Sequence, residues 1–329
     1  MFRFEIVIDN LNGTLWDLTN VTSELTWKTT RIGKPSSLDL TFLRDDSYQA
    51  VGFEVKNGDV LRVKVDGDGM FWGRIFSVER SRDAPVRILA YDQLRYLAES
   101  DTYVKKNIRA DQVIRDQCQA VGISVGPLAN TGFVIPKVSE DGQKRLDIAY
   151  RALDTTLMCT GNLFVLYDDY GNVKLSHVRD MTIDLILGEA SLVYDYKIKD
   201  SIDDDTYNQI KLVRDNKKTG HRDAYLYKNS NAIDRWGRLQ YYQKVDDGLN
   251  EEQIKGIALR LLQLKNREQR KFTLESIGYF GMRAGVKVQV TIDKVGVDSF
   301  FLVEECTHKL SGDDHTMSLD LVVFPDEYK

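Results

Sequence analysis

The residues with the most recognisable chemistry in this chain are its four histidines, two of which lie close together in sequence. His308 and His315 stand on either side of a polar turn, so a hairpin could bring their imidazole rings within reach of each other. A zinc site needs three or more converging ligands, and the nearby Asp313 and Asp314 belong to a turn that water would solvate. The pattern therefore favours surface turn chemistry over a metal ligand or a general base.

The remaining histidines and the cysteines give weaker signals. His177 and His221 have no metal-ligand or catalytic neighbours at a useful spacing. Cys118, Cys159 and Cys306 are odd in number and far apart, which argues against a disulfide scaffold. We therefore expect buried or inert thiols.

Acidic and glycine-rich segments could suggest ion or phosphate binding, but their spacing does not fit. Asp203–Asp205 and the string DGDG at Asp66 lack the ligand spacing and the distal Glu of an EF-hand, so DGDG predicts a hairpin turn. Gly33-Lys34 has no phosphate-loop spacing, and the glycines of 278–285 precede a strand instead of a helix. No G-x-S-x-G elbow occurs. We predict no catalytic residue, no cofactor-binding residue and no metal ligand, although paired carboxylates that meet only in space stay open.

Composition indicates a folded protein with an ordinary surface. Of 329 residues, 42% are hydrophobic and 29% are charged, which excludes a disordered polyampholyte. The 45 basic and 50 acidic residues are interspersed with no basic domain, which argues against a nucleic-acid partner. The start MFRFEIVIDN lacks signal-peptide features, and no apolar run reaches the roughly 18 residues of a membrane span. We expect synthesis in a cytoplasm and no membrane partner.

Two hairpins of similar design, one near each end of the chain, are the main architectural signal. Each begins at a glycine, Gly58 or Gly285, and continues as a strand whose apolar residues alternate. The alternating residues are Leu61, Val63 and Val65 in the first hairpin and Val286, Val288, Val290 and Ile292 in the second. Few residues are identical, so both a duplication and a chance pattern stay open.

The change of period along the chain predicts a mainly β fold with an α+β insert, consisting of two similar small β-barrels and a middle α+β domain. Residues 1–99 read as the first barrel, 100–195 as the middle domain and 196–329 as a second barrel with one amphipathic helix packed against it. The insert contains two helical stripes, ended by Gly122 and Gly161, and a hairpin that turns at 168–172. The later helix begins at Asn250 as its N-cap.

Three segments are distinctive: TTRIGKPSSLDLTF, YDQLRYLAESDTYVKKNIRADQVI and GNLFVLYDDYGNVKLSHVRDM. Together they resemble the XkdQ/YqbQ family of phage tail proteins, known from PBSX-like prophages. The C-terminal pattern THKLSGDDHTMSLDLVV resembles the last hairpin found more widely among baseplate hub proteins of contractile tails. His315 departs from the commonest form, in which an aromatic or small polar residue is expected at that position.

The resemblance implies a structural tail hub without enzymatic activity or cofactor. Such a hub is a homotrimer with pseudo-sixfold symmetry that joins the sixfold tail tube above to the threefold spike below, in contractile phage tails or R-type bacteriocins. The middle domain would contact other baseplate proteins through polar helix faces that carry Lys105, Lys106, Arg115 and Arg151. A tail-associated cell-wall hydrolase and a glycan-binding tail module, which would use exposed aromatics, are the alternatives.

Overall fold

The computed structural model describes residues 3–43, 52–80, 82, 85–189, 191–203, 205–216, 219–312 and 314–323, and the fold is mainly β. The first strands are β1 (Phe4–Asp9), β2 (Leu15–Asp17), β3 (Thr22–Thr30), β4 (Ser37–Phe42), β5 (Val60–Val65), β6 (Asp68–Glu79) and β7 (Val86–Tyr91). The middle of the chain forms β8 (Ser100–Arg109), α1 (Ala110–Ala120), β9 (Val125–Leu128), β10 (Val134–Lys144), α2 (Arg145–Thr160), β11 (Phe164–Asp168) and β12 (Val173–His177). The last part forms β13 (Thr182–Gly188), β14 (Val193–Ser201), β15 (Gln209–Asn216), β16 (His221–Lys228), α3 (Ser230–Trp236), β17 (Gln240–Lys244), α4 (Glu251–Lys265), β18 (Gln269–Ile277), β19 (Lys287–Ile292), β20 (Val297–Ser311) and β21 (Asp314–Val323). Short 3₁₀ helices occur at Gln93–Ala98, Val178–Met181 and Asp293–Val295.

The local signals in the sequence place these elements correctly. Helix α2 ends at Gly161 in the left-handed region, with φ of 80°. The Asn250 side chain accepts from the Gln253 amide at 2.8 Å, and Gln253 returns a bond to the Asn250 amide at 2.9 Å, so α4 begins with a capping box. The turn between β5 and β6 has positive φ at both Asp66 (52°) and Gly67 (91°), as a two-residue hairpin requires. The hairpin reading of DGDG is confirmed.

One 13-stranded sheet dominates the described part of the chain, with the order β14-β18-β21-β20-β3-β4-β7-β6-β5-β1-β2 and with β19 and β13 branching from β20. The pairing of β20 with β3 joins the two ends of the chain in this sheet. No ladder closes on itself among the described strands. The mainly β class is confirmed, whereas the expected pair of small barrels is not confirmed by the described strands.

Each end of the chain contributes the same strand arrangement to the sheet. We call β3–β7 the N-terminal half, in which the order is β3-β4-β7-β6-β5. We call β14 with β18–β21 the C-terminal half, in which the order is β14-β18-β21-β20-β19. All neighbouring pairs in both halves are antiparallel. The connection order along the chain is the same, which favours duplication over a chance similarity of hairpins.

The two halves also share two bulges, although a third, between Val63 and Lys64 of the β5–β6 ladder, has no counterpart in the β19–β20 ladder. The β6–β7 ladder shifts register between Ile75 and Ser77, and the β20–β21 ladder shifts between Val303 and Glu305. The amide of Gly58 donates to the carbonyl of Ile75 at 2.8 Å, and the amide of Gly285 donates to the carbonyl of Val303 at the same distance.

A second bulge supports the same equivalence. It falls between Thr22 and Glu24 in the β3–β4 ladder and between Val193 and Asp195 in the β14–β18 ladder. Because a bulge adds one residue to one strand, coincident bulges fix a residue-by-residue correspondence. Val303 thus corresponds to Ile75, and β3 corresponds to β14.

The remainder of the chain packs as additional units. Helices α1 and α2 share an apolar core with β8–β12, whereas α4 packs on the three-stranded sheet β16-β15-β17 and against Met158 and Cys159 of α2. The expectation that α4 lies against the second barrel is wrong, because Ile254, Ile257 and Leu261 face this small sheet instead of the core of β18–β21. A further helix, α3, was not expected.

Candidate assembly surface and its buried polar anchors

The histidine pair lies inside the junction of the two halves. His308 Nδ1 and His315 Nε2 are 2.9 Å apart, and His308 Nε2 donates to the Met282 carbonyl at 2.8 Å. The His308 ring stacks on Trp27 of β3 with centroids 5.2 Å apart, and His315 stacks on Phe280 at 4.0 Å. The predicted contact between the two imidazoles is confirmed, but His308 is fully buried and His315 half-buried, so the pair is not part of a surface turn.

The hydrogen bonds define the proton positions in this pair. Since a carbonyl only accepts, His308 carries its proton on Nε2, and its Nδ1 must accept the proton that His315 Nε2 donates. Burial lowers the pKa of both histidines to about 4, and the neighbouring His308 adds to the effect at His315. The pair is therefore neutral at physiological pH and holds β20, β21 and the 278–285 loop together.

The other residues that the sequence singled out do not converge. Among the described residues, no group of three His, Cys, Asp or Glu side chains could hold a metal ion. Cys118 and Cys306 are buried, and neither is in a disulfide, as expected. Asp205 pairs with Lys265 at 2.5 Å on the surface, whereas Asp204 and Asp313 lie outside the described residues.

A buried cluster of two carboxylates and one guanidinium, which sequence reasoning missed, ties three regions together. Asp92 follows β7 and accepts from the amide and hydroxyl of Ser36 at 2.9 and 2.6 Å. Asp168 ends β11 and accepts from the amide of Gly171 at 2.8 Å. Arg283 precedes β19, donates to the Asp168 carbonyl at 3.1 Å and lies 4.2 Å from the Tyr167 ring centroid.

The electrostatics of this cluster follow from its burial. Loss of water raises the pKa of Asp92 to about 6 and that of Asp168 to about 7, and the Asp92 charge is the second cause for Asp168. Burial also lowers the pKa of Arg283, although a guanidinium stays protonated at neutral pH. The sequence carries no signal for this cluster, because its members come from three segments that only the fold brings together.

The junction itself, which we call the seam, is an antiparallel pairing between β3 and the second part of β20. Its register runs from Glu305 opposite Thr30 to Ser311 opposite Glu24. Strand pairing of this length provides many main-chain hydrogen bonds between the two halves. The seam is therefore a strand-to-strand joint and not a loose contact between domains.

Charged side chains reinforce one end of the seam. Arg31 forms a two-pronged ion pair with Glu304, with contacts of 2.8 and 3.0 Å, and Lys28 pairs with Glu305. Arg31 is largely buried, so its paired geometry is well defined. The Arg31 amide also donates to the Glu304 carbonyl at 2.9 Å.

Two sheet edges corresponding to the strands of the seam are open. Strand β14 pairs with β18 on one side, and no strand pairs with its other side among the described residues. Strand β6 pairs with β5 from Asp68 to Arg74 and with β7 from Arg74 to Glu79. The β5 side of Phe76–Glu79 therefore has no strand partner in the described sheet. Open edges are sites at which another chain can add a strand.

Comparison with known proteins gives this arrangement a family. The family model described as YQBQ-like matches residues 25–322, which includes nearly all of both halves and of the seam, and all of the elements from β8 to β12 and from β15 to α4. The chain belongs to the YQBQ-like family. It is 29% identical over 296 residues to the phage-like element PBSX protein XkdQ of Bacillus subtilis, a match that covers 89% of each chain. The resemblance to the XkdQ/YqbQ family is thereby confirmed.

Solved structures share the fold of this YQBQ-like chain at low sequence identity. The 43 kDa tail protein of prophage MuSo2 from Shewanella oneidensis superposes with a TM-score of 0.73 at 15% identity, over 99% of this chain and all of that one. The c3393 protein of E. coli, a type VI secretion component described as structurally similar to T4 tail proteins, gives a TM-score of 0.59 at 12% identity over 98% of this chain and 78% of that one. The whole fold, including its insertions, therefore recurs. No described helix is long and apolar enough to cross a membrane.

Proposed function

We propose that this chain is a structural hub protein of a phage-tail-like particle, in a contractile phage tail or an R-type bacteriocin. Three copies would form a ring of six similar units that joins a sixfold tail tube above to a threefold spike below. The protein would be made in the bacterial cytoplasm and incorporated into the baseplate of the particle. The family membership and the recurrence of the fold in a prophage tail protein support this role.

The observation that carries the proposal is the equivalence of the two halves. Coincident strand order and bulges give one chain two building units of the same shape. A closed ring of three such chains presents six comparable units, as a sixfold partner requires, and keeps the threefold symmetry that a spike requires. Sequence can diverge between the units because the ring constrains backbone shape and the alternation of buried positions.

We further propose that the chain acts without catalysis. The histidines that come together are neutral and stacked, His308 is hydrogen-bonded to the Met282 carbonyl and His315 to His308. The buried carboxylates accept from backbone amides, and Arg283 donates to the backbone carbonyl of Asp168. These groups connect regions of the chain that are distant in sequence. Purified protein is expected to show no turnover of peptidoglycan, and turnover abolished by one acidic or histidine substitution would contradict this.

The units on either side of the seam would carry the additional contacts. We propose a first tube-like unit over 1–99, a middle unit that contacts other baseplate proteins, and a second tube-like unit after it. We propose that the middle unit ends near residue 180 and not at 195, because β13 and the start of β14 pair within the large sheet. The expectation that helix faces carry all four basic residues is wrong for Lys105 and Lys106, which lie on β8, whereas Arg115 lies on α1 and Arg151 on α2. All four are exposed, and we propose that they contact partners.

The experiment that tests the hub assignment is imaging of the particle that contains this chain. Three copies between tube and spike would support the proposal. A copy number other than three, or a position on the tail fibres or at the outer rim of the baseplate, would contradict it.

A further inference from the structure

The two strands that pair in the seam, β20 and β3, have structural equivalents whose corresponding edges are open. By the correspondence of bulges, the second part of β20 is equivalent to Phe76–Glu79 of β6, and β3 is equivalent to β14. Within the chain, β20 and β3 pair with each other. The equivalent strands, β6 and β14, each present an edge without a strand partner in the described sheet.

We propose that the β14 edge of one copy adds antiparallel to the Phe76–Glu79 edge of β6 in a second copy of this chain, which repeats the seam between subunits. This inference rests on the proposed ring and names the surface that closes it. Translating the register of the seam places Ser77 opposite the partner subunit's Ser201, as Glu305 lies opposite Thr30. The same translation places Glu79 opposite the partner subunit's Lys199, as Thr307 lies opposite Lys28.

The loop before Gly285, which lies beside the paired part of β20, has a counterpart in the loop before Gly58, which lies beside the Phe76–Glu79 edge of β6. In the C-terminal half, His308 donates to the carbonyl of Met282 beside the paired part of β20. In the N-terminal half, Arg80 occupies the position equivalent to His308 and donates to the carbonyl of Val55, which is equivalent to Met282. The loop before Gly285 does not prevent β3 from pairing with β20. The equivalent loop before Gly58 is therefore compatible with a strand that pairs with the Phe76–Glu79 edge of β6.

Charge supports a second copy as the occupant. Glu79 and Lys199 are both exposed, and the proposed register makes them a directly opposed pair of opposite sign. In the seam within the chain, ion pairs of Lys28 with Glu305 and of Arg31 with Glu304 have the same stabilising role. The charged side chains of β14 also oppose pairing out of register, which limits unspecific edge contacts.

In the proposed ring, the same joint is used within each chain and between neighbouring chains. The internal seam sets the C-terminal half of a chain beside its own N-terminal half, and the proposed seam sets the N-terminal half beside the C-terminal half of the next chain. Each step uses the same pair of surfaces, so the steps repeat one rotation, and three copies supply six steps of about 60°. The interface is head-to-tail, and the two edges of a single copy do not satisfy each other.

Disulfide trapping in the full-length protein tests the register. In a Cys159→Ser background, Glu79→Cys and Lys199→Cys are combined in one chain and oxidised, both in purified protein and in assembled particles. Directly opposed residues of an antiparallel pair have Cα atoms about 4.5–5.5 Å apart, within the range that a disulfide bridges. The matched control combines Glu79→Cys with Lys197→Cys, which is on the same face of β14 but about 7 Å along the strand.

We expect covalent dimers and closed trimers for the Glu79→Cys/Lys199→Cys chain and a several-fold lower yield for the control. If native mass spectrometry finds trimers but the two pairs link equally or not at all, the strand pairing is wrong while the ring stands. If the particle contains no trimer, both the pairing and the proposed function fail.

Charge reversal provides an independent readout. Glu79→Lys and Lys199→Glu should each weaken trimer formation roughly two- to five-fold per interface, and the double reversal should restore it. Both positions are exposed, so circular dichroism is expected to show unchanged folding. Equal weakening by the double variant and the single variants would overturn the proposed pairing of these two residues.

Discussion

The N-terminal and C-terminal halves share one strand order and two bulges, but they differ in the segments inserted between their strands. The link from β3 to β4 is a short turn, whereas the chain between β14 and β18 contains β15–β17, α3 and α4 with their own apolar core. A further difference is the flanking strand, since β1 runs antiparallel to β5 and β13 runs parallel to β19. Backbone shape is therefore retained where strands pair, whereas extra strands and helices are inserted in the connections between paired strands.

The largest expected effect comes from removing equivalent core side chains. Phe272 and Leu38 occupy matching positions and are fully buried. Phe272→Ala should lower the free energy of unfolding by about 3–5 kcal/mol and Leu38→Ala by about 2–5 kcal/mol, because apolar burial is lost and a cavity remains. Chemical denaturation measures both, with the partly exposed Thr273→Ala as a control. A small loss at only one position would break the equivalence of the halves.

The histidine pair, which belongs to the C-terminal half, should make the stability of the protein depend on pH. Both folded pKa values lie near 4, below the usual value of 6.5, so the stabilising contribution is complete above pH 6.5 and is lost as pH falls toward 4. The loss should be roughly 2–4 kcal/mol. In the double variant His308→Gln/His315→Phe, unfolding measured between pH 7 and 4 should lack this component. An unchanged acid slope would show that the pair does not titrate as its burial requires.

The buried carboxylates are expected to act in the opposite direction. The folded pKa of Asp168 is raised to about 7 from 3.8, so its contribution is complete below pH 3.8 and is lost as pH rises through 7. Asp168→Asn should therefore stabilise the protein at pH 8 by roughly 1–3 kcal/mol and flatten the neutral slope. The neighbouring Asp169→Asn, which loses a pairing with Lys174, is the control. Destabilisation at pH 8 by Asp168→Asn would indicate that the ionised form is required there.

The smallest effect concerns the unit that only the C-terminal half contains. Asn250→Ala removes both the side-chain acceptor at the start of α4 and its capping box, and should cost about 1 kcal/mol. Hydrogen exchange should show faster opening in α4 and little change in β3–β7. Equal loss of protection in the N-terminal half would contradict separate packing of the inserted unit.

Sequence reasoning was most successful where a local signal determines the structure. Residue type predicts the local structure at three places: the left-handed helix end at Gly161, the helix N-cap at Asn250 and the two-residue turn at Asp66-Gly67. The histidine contact was also predictable, since only a short hairpin separates His308 from His315.

Long-range partnerships were not predictable, because no local pattern encodes them. The pairing of Glu305 with Thr30 joins residues at opposite ends of the chain. Asp92, Asp168 and Arg283 converge only after three separate regions have packed. Likewise, the apolar stripe of α4 predicts that the helix has a buried face, but it does not predict which sheet covers that face.

A cryo-EM reconstruction of the assembled particle would test most directly that the two halves are equivalent units of one ring. We expect three copies, with N-terminal and C-terminal halves alternating at about 60° and with β14 of each copy paired to β6 of the next. A particle in which the halves lie at different distances from the tail axis, or in which one half lies outside the ring, would contradict it.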